Sequence, residues 1–177
     1  GMAASLLTAS LQALSTGPIE DGLPPEEICA RLSRRLYRRT PPEKYATAFL
    51  GVLEPATGLL HYTNAGHNPP LVVRAAGSVE ELAPTGVPLG LLPSARYGAG
   101  EVTLSPGDTL VLYTDGLVEA SDPDGEEYGL ARLKEVCLRH RDVPCRSLAE
   151  ALEEDLEGFV QGTPFADDRT IVVARRL

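Results

Sequence analysis

Long apolar runs are missing from this sequence. None reaches 18 residues, so no membrane-spanning helix is expected. The first residues carry no basic stretch ahead of an apolar core, which argues against a secretory signal. Cysteine is scarce: Cys29, Cys137 and Cys145 are odd in number and share no metal-type spacing, so they read as reduced thiols of a cytoplasmic protein. Positive charge is outweighed, with 16 Lys and Arg against 25 Asp and Glu. The resulting net charge of −9 disfavours non-specific binding to nucleic acid or to an anionic membrane, and it is compatible with a carboxylate-rich metal site. There is no P-loop, no dinucleotide fingerprint and no nucleophile elbow, and Ser5, Ser10 and Ser147 have no neighbouring His. Internal repeats and low-complexity segments are absent too.

What remains is a chain of 177 residues, the length of one domain with a core of its own. A chain of that size buries about 70% of its unfolded surface. Met2 to Ser15 reads as a helix with Leu7, Leu11 and Leu14 on one face, ended by Thr16-Gly17-Pro18. A second helix follows Pro24-Pro25, with Glu26 and Glu27 in its first turn and Ile28, Leu32 and Leu36 on its apolar face. Arg31, Arg34, Arg35, Arg38 and Arg39 fill the rest of its surface, either as a solvated face or as a docking surface for an acidic or phosphorylated partner. After Pro41-Pro42 the period shortens. Tyr45–Leu53 and Leu59–Ala65 read as strands around the Glu54–Gly58 loop. Leu71–Arg74, Val79–Leu82, Tyr97–Leu104 and Thr109–Tyr113 follow as strands. Helices return around Leu130, Leu133 and Cys137, and after a capping box at Ser147–Glu150. Gly162-Thr163-Pro164 breaks the second of these, and Thr170–Arg175 is expected as a core strand. The order points to an α+β protein with antiparallel sheets, a meander or a sandwich.

One stretch carries chemistry. Leu110–Tyr113 is an unbroken apolar run, expected as a strand buried on both faces, and it ends in Thr114-Asp115-Gly116. A carboxylate at a strand tip is rigidly aimed and suits a hard ion such as magnesium or manganese; equally, Asp115 could only cap its own turn. Asp167-Asp168 introduces the final strand. If the two strands run antiparallel, Asp115 and the Asp pair meet at one sheet edge, where converging carboxylates favour a cation between them. His67 and Asn68, between Gly66 and Pro69, form either a site loop or a tight turn held by the Asn side chain. Asp122-Pro123-Asp124-Gly125 resembles part of a calcium loop but lacks its third acidic position and the closing Glu.

Three motifs together carry a resemblance: Tyr113-Thr114-Asp115-Gly116-Leu117-Val118-Glu119-Ala120, Asn64-Ala65-Gly66-His67-Asn68-Pro69-Pro70-Leu71 and Asp167-Asp168-Arg169-Thr170-Ile171-Val172-Val173. Tyr45–Phe49, Gly86–Gly90 and Ser105–Thr109 support it. The sequence resembles the bacterial SpoIIE/RsbU branch of the PPM (type 2C-like) metal-dependent serine/threonine protein phosphatases. The resemblance implies an αββα sandwich, antiparallel sheets flanked by helices, with 1–177 as a single domain. It also implies two manganese or magnesium ions and a metal-bound water that hydrolyses phosphoserine or phosphothreonine on a regulatory protein of the anti-anti-sigma type. The family's metal-binding Asp residues fall on Asp115 and Asp167, with Asp168 the alternative to Asp167. Glu119 would stand behind them, and His67 and Asn68 match a branch signature without an assigned role.

Two acidic blocks that open the family's domain have no counterpart, since Gly1-Met2-Ala3-Ala4 aligns with the end of the second. The sandwich is therefore expected to be N-terminally incomplete, its metal poorly held, its activity low, and its strand edges open to pairing in a homodimer. A catalytically inactive interaction domain with the same fold is the rival expectation, and a hydrolase of small phosphoesters is a third.

Overall fold

The structure is a computed structural model that describes residues 2–41 and 44–177. Gly1 and Pro42, together with the side chains of Ser5, Leu7 and Ser10, lie outside the described residues. In chain order the elements are α1 (Met2–Glu20), α2 (Pro25–Arg39), β1 (Ala48–Leu53), β2 (Leu59–Ala65), β3 (Leu71–Val73), β4 (Val79–Glu81), β5 (Gly100–Thr103), β6 (Thr109–Tyr113), α3 (Asp115–Val118), α4 (Gly129–Arg139), α5 (Cys145–Val160) and β7 (Ile171–Arg175). They form two compact units, one of residues 1–67 and 84–102, the other of 68–83 and 103–177.

In the first unit, α2 starts where the sequence places it. Pro25 opens the helix and loses no bond there, because a first-turn N–H has no helical partner. Its face of Ile28, Cys29, Leu32 and Leu36 is buried with Ala65 and Leu89, and Leu11, Leu14 and Leu23 pack against that cluster. The Ser33 hydroxyl, buried in the same face, accepts the Gly90 N–H at 3.0 Å. β1 and β2 form the expected antiparallel hairpin, in register from Ala48 opposite Ala65 to Leu53 opposite Leu60. β5 completes a sheet of order β1-β2-β5.

Three expectations fail in this unit. β5 begins at Gly100 rather than Tyr97. Helix α1 does not stop at Thr16-Gly17-Pro18 but continues to Glu20. Pro18 costs it one N–H bond, and the residue that takes a left-handed φ is Gly22 at +69°, not Gly17. β1 begins at Ala48 rather than Tyr45; Ala46 instead exchanges hydrogen bonds with Leu89, at 3.0 and 2.7 Å.

In the second unit the sheet order is β4-β3-β6-β7, every pair antiparallel. Leu71, Val73, Val111 and Tyr113 point to one face and are buried with Leu133 and Cys137 of α4 and Leu148, Leu152 and Leu156 of α5. β6 is thus wholly buried on one face only; Leu110 and Leu112, on the other, are half-buried. β7 is an edge strand rather than a core strand, and Val172 is 49% exposed.

The turn Ser105–Asp108 does not join paired strands: β5 and β6 belong to different sheets. What fixes the turn is Asp108, buried, which accepts the N–H groups of Ser105 and Ala75 and pairs with Arg74 at 2.8 Å. The capping box also fails to form. α5 starts at Cys145, after Pro144, which puts Ser147 inside the first turn, and Glu150 pairs with Arg146 instead. The Gly162 break is as expected, and Gln161 ahead of it adopts φ +48° as the helix cap.

Candidate functional site

The Asp115 segment is placed by the pairing of β6 with β7. Tyr113 stands opposite Ile171, so the end of one strand meets the start of the other at the same sheet edge. The pairing continues past the strands through Thr114. Its N–H donates to the Thr170 carbonyl at 3.1 Å, and its hydroxyl accepts the Thr170 N–H at 2.9 Å and donates to the Asp168 carbonyl at 3.2 Å. Gly116 closes the contact. A β-carbon there would lie 2.6 Å from the Asp168 carbonyl oxygen and 3.2 Å from that of Asp167. The backbone of the Asp167-Asp168 pair therefore rests on the one residue of the turn that has no side chain.

All three carboxylates are exposed. Asp115 Oδ1 accepts the Gly116 N–H at 2.9 Å, and Asp167 Oδ1 accepts the Asp168 N–H at 2.8 Å. Each of these two carboxylates uses one oxygen to hold its own turn, which keeps the group aimed and leaves the second oxygen to solvent. Glu119 is exposed one turn beyond Asp115, its N–H bonded to the Asp115 carbonyl at 2.9 Å. Tyr113 beneath them stays neutral: burial, reinforced by the charge of Glu81, pushes its phenol up to about 12.

Carboxylate oxygens are the donors that magnesium and manganese prefer. Their number is what falls short: among the described residues no three His, Cys, Asp or Glu side chains are grouped so as to hold an ion. The donors fit such a metal in kind, but the set is incomplete.

Next to the pair is a cavity of about 520 Å³, lined among others by Leu117, Leu156, Phe165 and Ile171, with Asp167, Asp168 and Arg169 on it. The Arg169 guanidinium stacks over the Phe165 ring, 3.5 Å from its centroid. Spacing alone gave no sign of this stack. The Asp122–Gly125 segment is a turn: Asp122 Oδ1 accepts the N–H groups of Asp124 and Glu126, each at 2.9 Å.

His67 belongs to the first unit. Its N–H is accepted by Asn64 Oδ1 at 2.8 Å, and its ring Nδ1 is 3.4 Å from the Thr47 hydroxyl. The loop is thus held by an Asn side chain, but that of the buried Asn64 rather than Asn68. Asn64 is itself fixed on three sides, because its carbonyl accepts the Thr85 and Gly86 N–H groups and its N–H donates to the Thr85 hydroxyl. Asn68 is half-buried in the second unit.

The family model described as Stage II sporulation protein E (SpoIIE) matches residues 1–177. Phosphoserine phosphatase RsbP of Bacillus subtilis is 27% identical over 177 residues, covering 98% of this chain and 42% of its own length. Protein IcfG of Synechocystis sp. is 31% identical over 132 residues, 75% of this chain and 21% of its own length. The chain thus spans less than half of these curated relatives. Among solved structures, the SiaA-PP2C domain of Pseudomonas aeruginosa superposes with a TM-score of 0.85 at 25% identity, covering 99% of this chain and 70% of that one. The RsbU and RsbW domains of Rv1364c from Mycobacterium tuberculosis give 0.81 at 27% identity, covering 99% and 49%.

Proposed function

The chain belongs to the SpoIIE family, with the fold of the PPM-type protein phosphatases, and from that premise we propose that residues 1–177 act within a single phosphatase domain that removes phosphate from serine or threonine of a regulatory protein. The observation that carries this reading is the seat of Asp167-Asp168 on Gly116, which holds those carboxylates at the same sheet edge as Asp115. The name of RsbP, a phosphoserine phosphatase matched over 98% of this chain, supports the substrate class. PPM phosphatases are metal-dependent. Asp115 and Asp167, with Asp168 as the other candidate, are the carboxylates this chain offers to manganese or magnesium, and Glu119 stands behind Asp115.

The regulatory protein fits the anti-anti-sigma type that the motifs suggest, and the compartment is the cytoplasm. No helix of the described residues is long and apolar enough to cross a membrane. The edge strands β1, with Val52 58% and Leu53 44% exposed, and β7 offer backbone to a second copy, so the chain pairs as a homodimer through one of them. Sedimentation equilibrium that finds a monomer at every concentration rejects that pairing.

A second reading, an interaction domain with the phosphatase fold and no turnover, is favoured by the lack, among the described residues, of three grouped metal donors. One experiment separates the two: manganese-dependent phosphate release from a phosphoserine peptide, beside manganese binding by calorimetry, for the chain and for Asp115→Ala. Weak binding and slow release, both removed by Asp115→Ala, support the enzyme. Release no greater than that of Asp115→Ala supports the interaction domain.

A further inference from the structure

The face of α2 turned away from the core has no use in the proposed phosphatase chemistry. Five of the chain's 16 basic residues lie between Arg31 and Arg39, in a protein whose net charge is −9. Arg34, Arg35, Arg38 and Arg39 are exposed, and among the described residues none of them has an acidic partner; Arg31 alone is paired, with Glu27 at 2.6 Å. The helix-dipole effect accounts for Arg38 and Arg39 in the last turn, but not for Arg34 and Arg35 in the middle. Arg31 and Arg35, Arg34 and Arg38, and Arg35 and Arg39 are one turn apart, so the stripe repels itself at three places. Arg31, Arg34, Arg35 and Arg38 together line a shallow groove of about 310 Å³. Tyr37, beside Arg34 on the same side of the helix, is 37% exposed, and Tyr and Arg are the side chains most enriched where proteins meet.

The stripe is also rigid. The opposite face of α2 is locked by Ile28, Leu32 and Leu36 in the core and by the Ser33–Gly90 hydrogen bond. A β-carbon at Gly90 would lie 2.7 Å from Leu36, so the loop rests directly on the helix. The backbone positions that carry the guanidinium groups are thereby fixed in a row before any partner arrives.

We infer that this arginine stripe is a docking surface for an acidic helix of a partner protein. The four arginines from Arg31 to Arg38 extend about 10 Å along the axis, at 1.5 Å per residue. A single phosphate reaches one or two of them. A helix with carboxylates at i, i+3, i+4 and i+7 meets the whole row, since it repeats the spacing of Arg31, Arg34, Arg35 and Arg38. Nucleic acid also offers a row of anions, but its charge runs on past the stripe and meets the rest of a chain of net charge −9, whereas a short acidic helix ends with the stripe. Such a contact speeds encounter and sets orientation more than it adds affinity, which suits a partner that must come and go.

The test is a binding measurement that needs neither metal nor turnover. A fluorescent, alanine-based helical peptide with glutamates at i, i+3, i+4 and i+7 is titrated into the chain and followed by anisotropy. Binding is expected at low ionic strength, falling as salt is raised, and weakened about tenfold or more in R34E/R35E. The milder R34Q/R38Q gives an intermediate loss, and circular dichroism checks that both variants stay folded. Equal affinity of R34E/R35E and the parent overturns the proposal. So does equal binding of a peptide with its glutamates scattered around the helix, or displacement of the peptide by inorganic phosphate or duplex DNA at matched charge. Salt-sensitive self-association abolished by R34E/R35E also overturns it. That result would assign the stripe to a second copy, whose α5 bears Glu150, Glu153, Glu154 and Glu157 at the same spacing, all exposed.

Discussion

Gly116 lies so close to Asp168 that a β-carbon on the glycine would stand 2.6 Å from the Asp168 carbonyl oxygen. The obstacle is backbone, not the flexible tip of a side chain, and Gly116 does not need a left-handed φ. Gly116→Ala therefore acts by steric pressure alone. It is expected to destabilise the chain by about 1–3 kcal/mol, the range for overpacking a filled site. Chemical denaturation reads the loss. Amide shifts at Asp167, Asp168 and Thr170 show whether the pair has been pushed off its seat, and a variant with the parent's stability and unchanged shifts refutes the contact.

The pair of buried Asp108 with half-buried Arg74 gives a prediction in acid. Burial raises the Asp108 carboxyl, but the Ala75 and Ser105 N–H groups and Arg74 outweigh it, so the group titrates below the ordinary aspartate range. A depressed carboxyl contributes stability above its unfolded pKa and loses it as pH falls through the folded value. Asp108→Asn should cost about 2 kcal/mol at neutral pH, within the range for a hydrogen bond to a charged group, because Arg74 is partly exposed and keeps Glu80. The difference from the parent should begin to narrow only as pH falls below the ordinary aspartate value of about 4, as measured by denaturant midpoints from neutrality downward.

His61 gives the opposite sign. Its ring lies between Glu26, at 3.1 Å, and Glu101, at 3.2 Å, and hydrogen bonds to the two carboxylates raise its pKa. The contribution is fully present below the unfolded value of about 6.5 and is lost as pH rises through the higher folded one. His61→Gln should therefore be less stable than the parent in mild acid and equal to it in alkali. A gap that widens with rising pH rejects the assignment. Imidazole proton shifts followed by NMR give the direction independently.

Ser147 supplies a negative control. A formed capping box would make Ser147→Ala cost about 1 kcal/mol. In the structure Ser147 lies within α5 and caps nothing, so the variant should fall within about 0.5 kcal/mol of the parent, as alanine is the better helix former. A thermal midpoint lowered by several degrees restores the box.

Sequence pattern puts Asp115 and Asp167-Asp168 at one sheet edge only on the condition that their strands pair antiparallel, a condition that the pairing of β6 with β7 meets. It could not find the seat on Gly116. Glycine after aspartate is common in any turn, so the dipeptide alone does not mark a contact. β2 ends at Ala65 as its pattern predicts, but Asn64 and Asn68 flank the His67 turn alike in sequence, and only the folded backbone shows that it is Asn64 Oδ1 that accepts the His67 N–H. The apolar faces of α2 and α5 stood out through their period. The end of α1 did not, because Gly17-Pro18 is a strong local stop signal that the helix overrides. Ser105–Asp108 lies between two stretches that both read as strands, and only the strand pairing shows that they belong to different sheets.

The bond between Thr114 and Thr170 spans 56 residues. Order at this edge is therefore a matter of folding kinetics as well as of equilibrium. Helices α4 and α5 form from local contacts, while β6 and β7 must close the whole intervening loop before any of their hydrogen bonds can form. A cut between α4 and α5 leaves every side chain of the edge in place in the sequence, yet it makes the meeting of Asp115 with Asp168 depend on concentration.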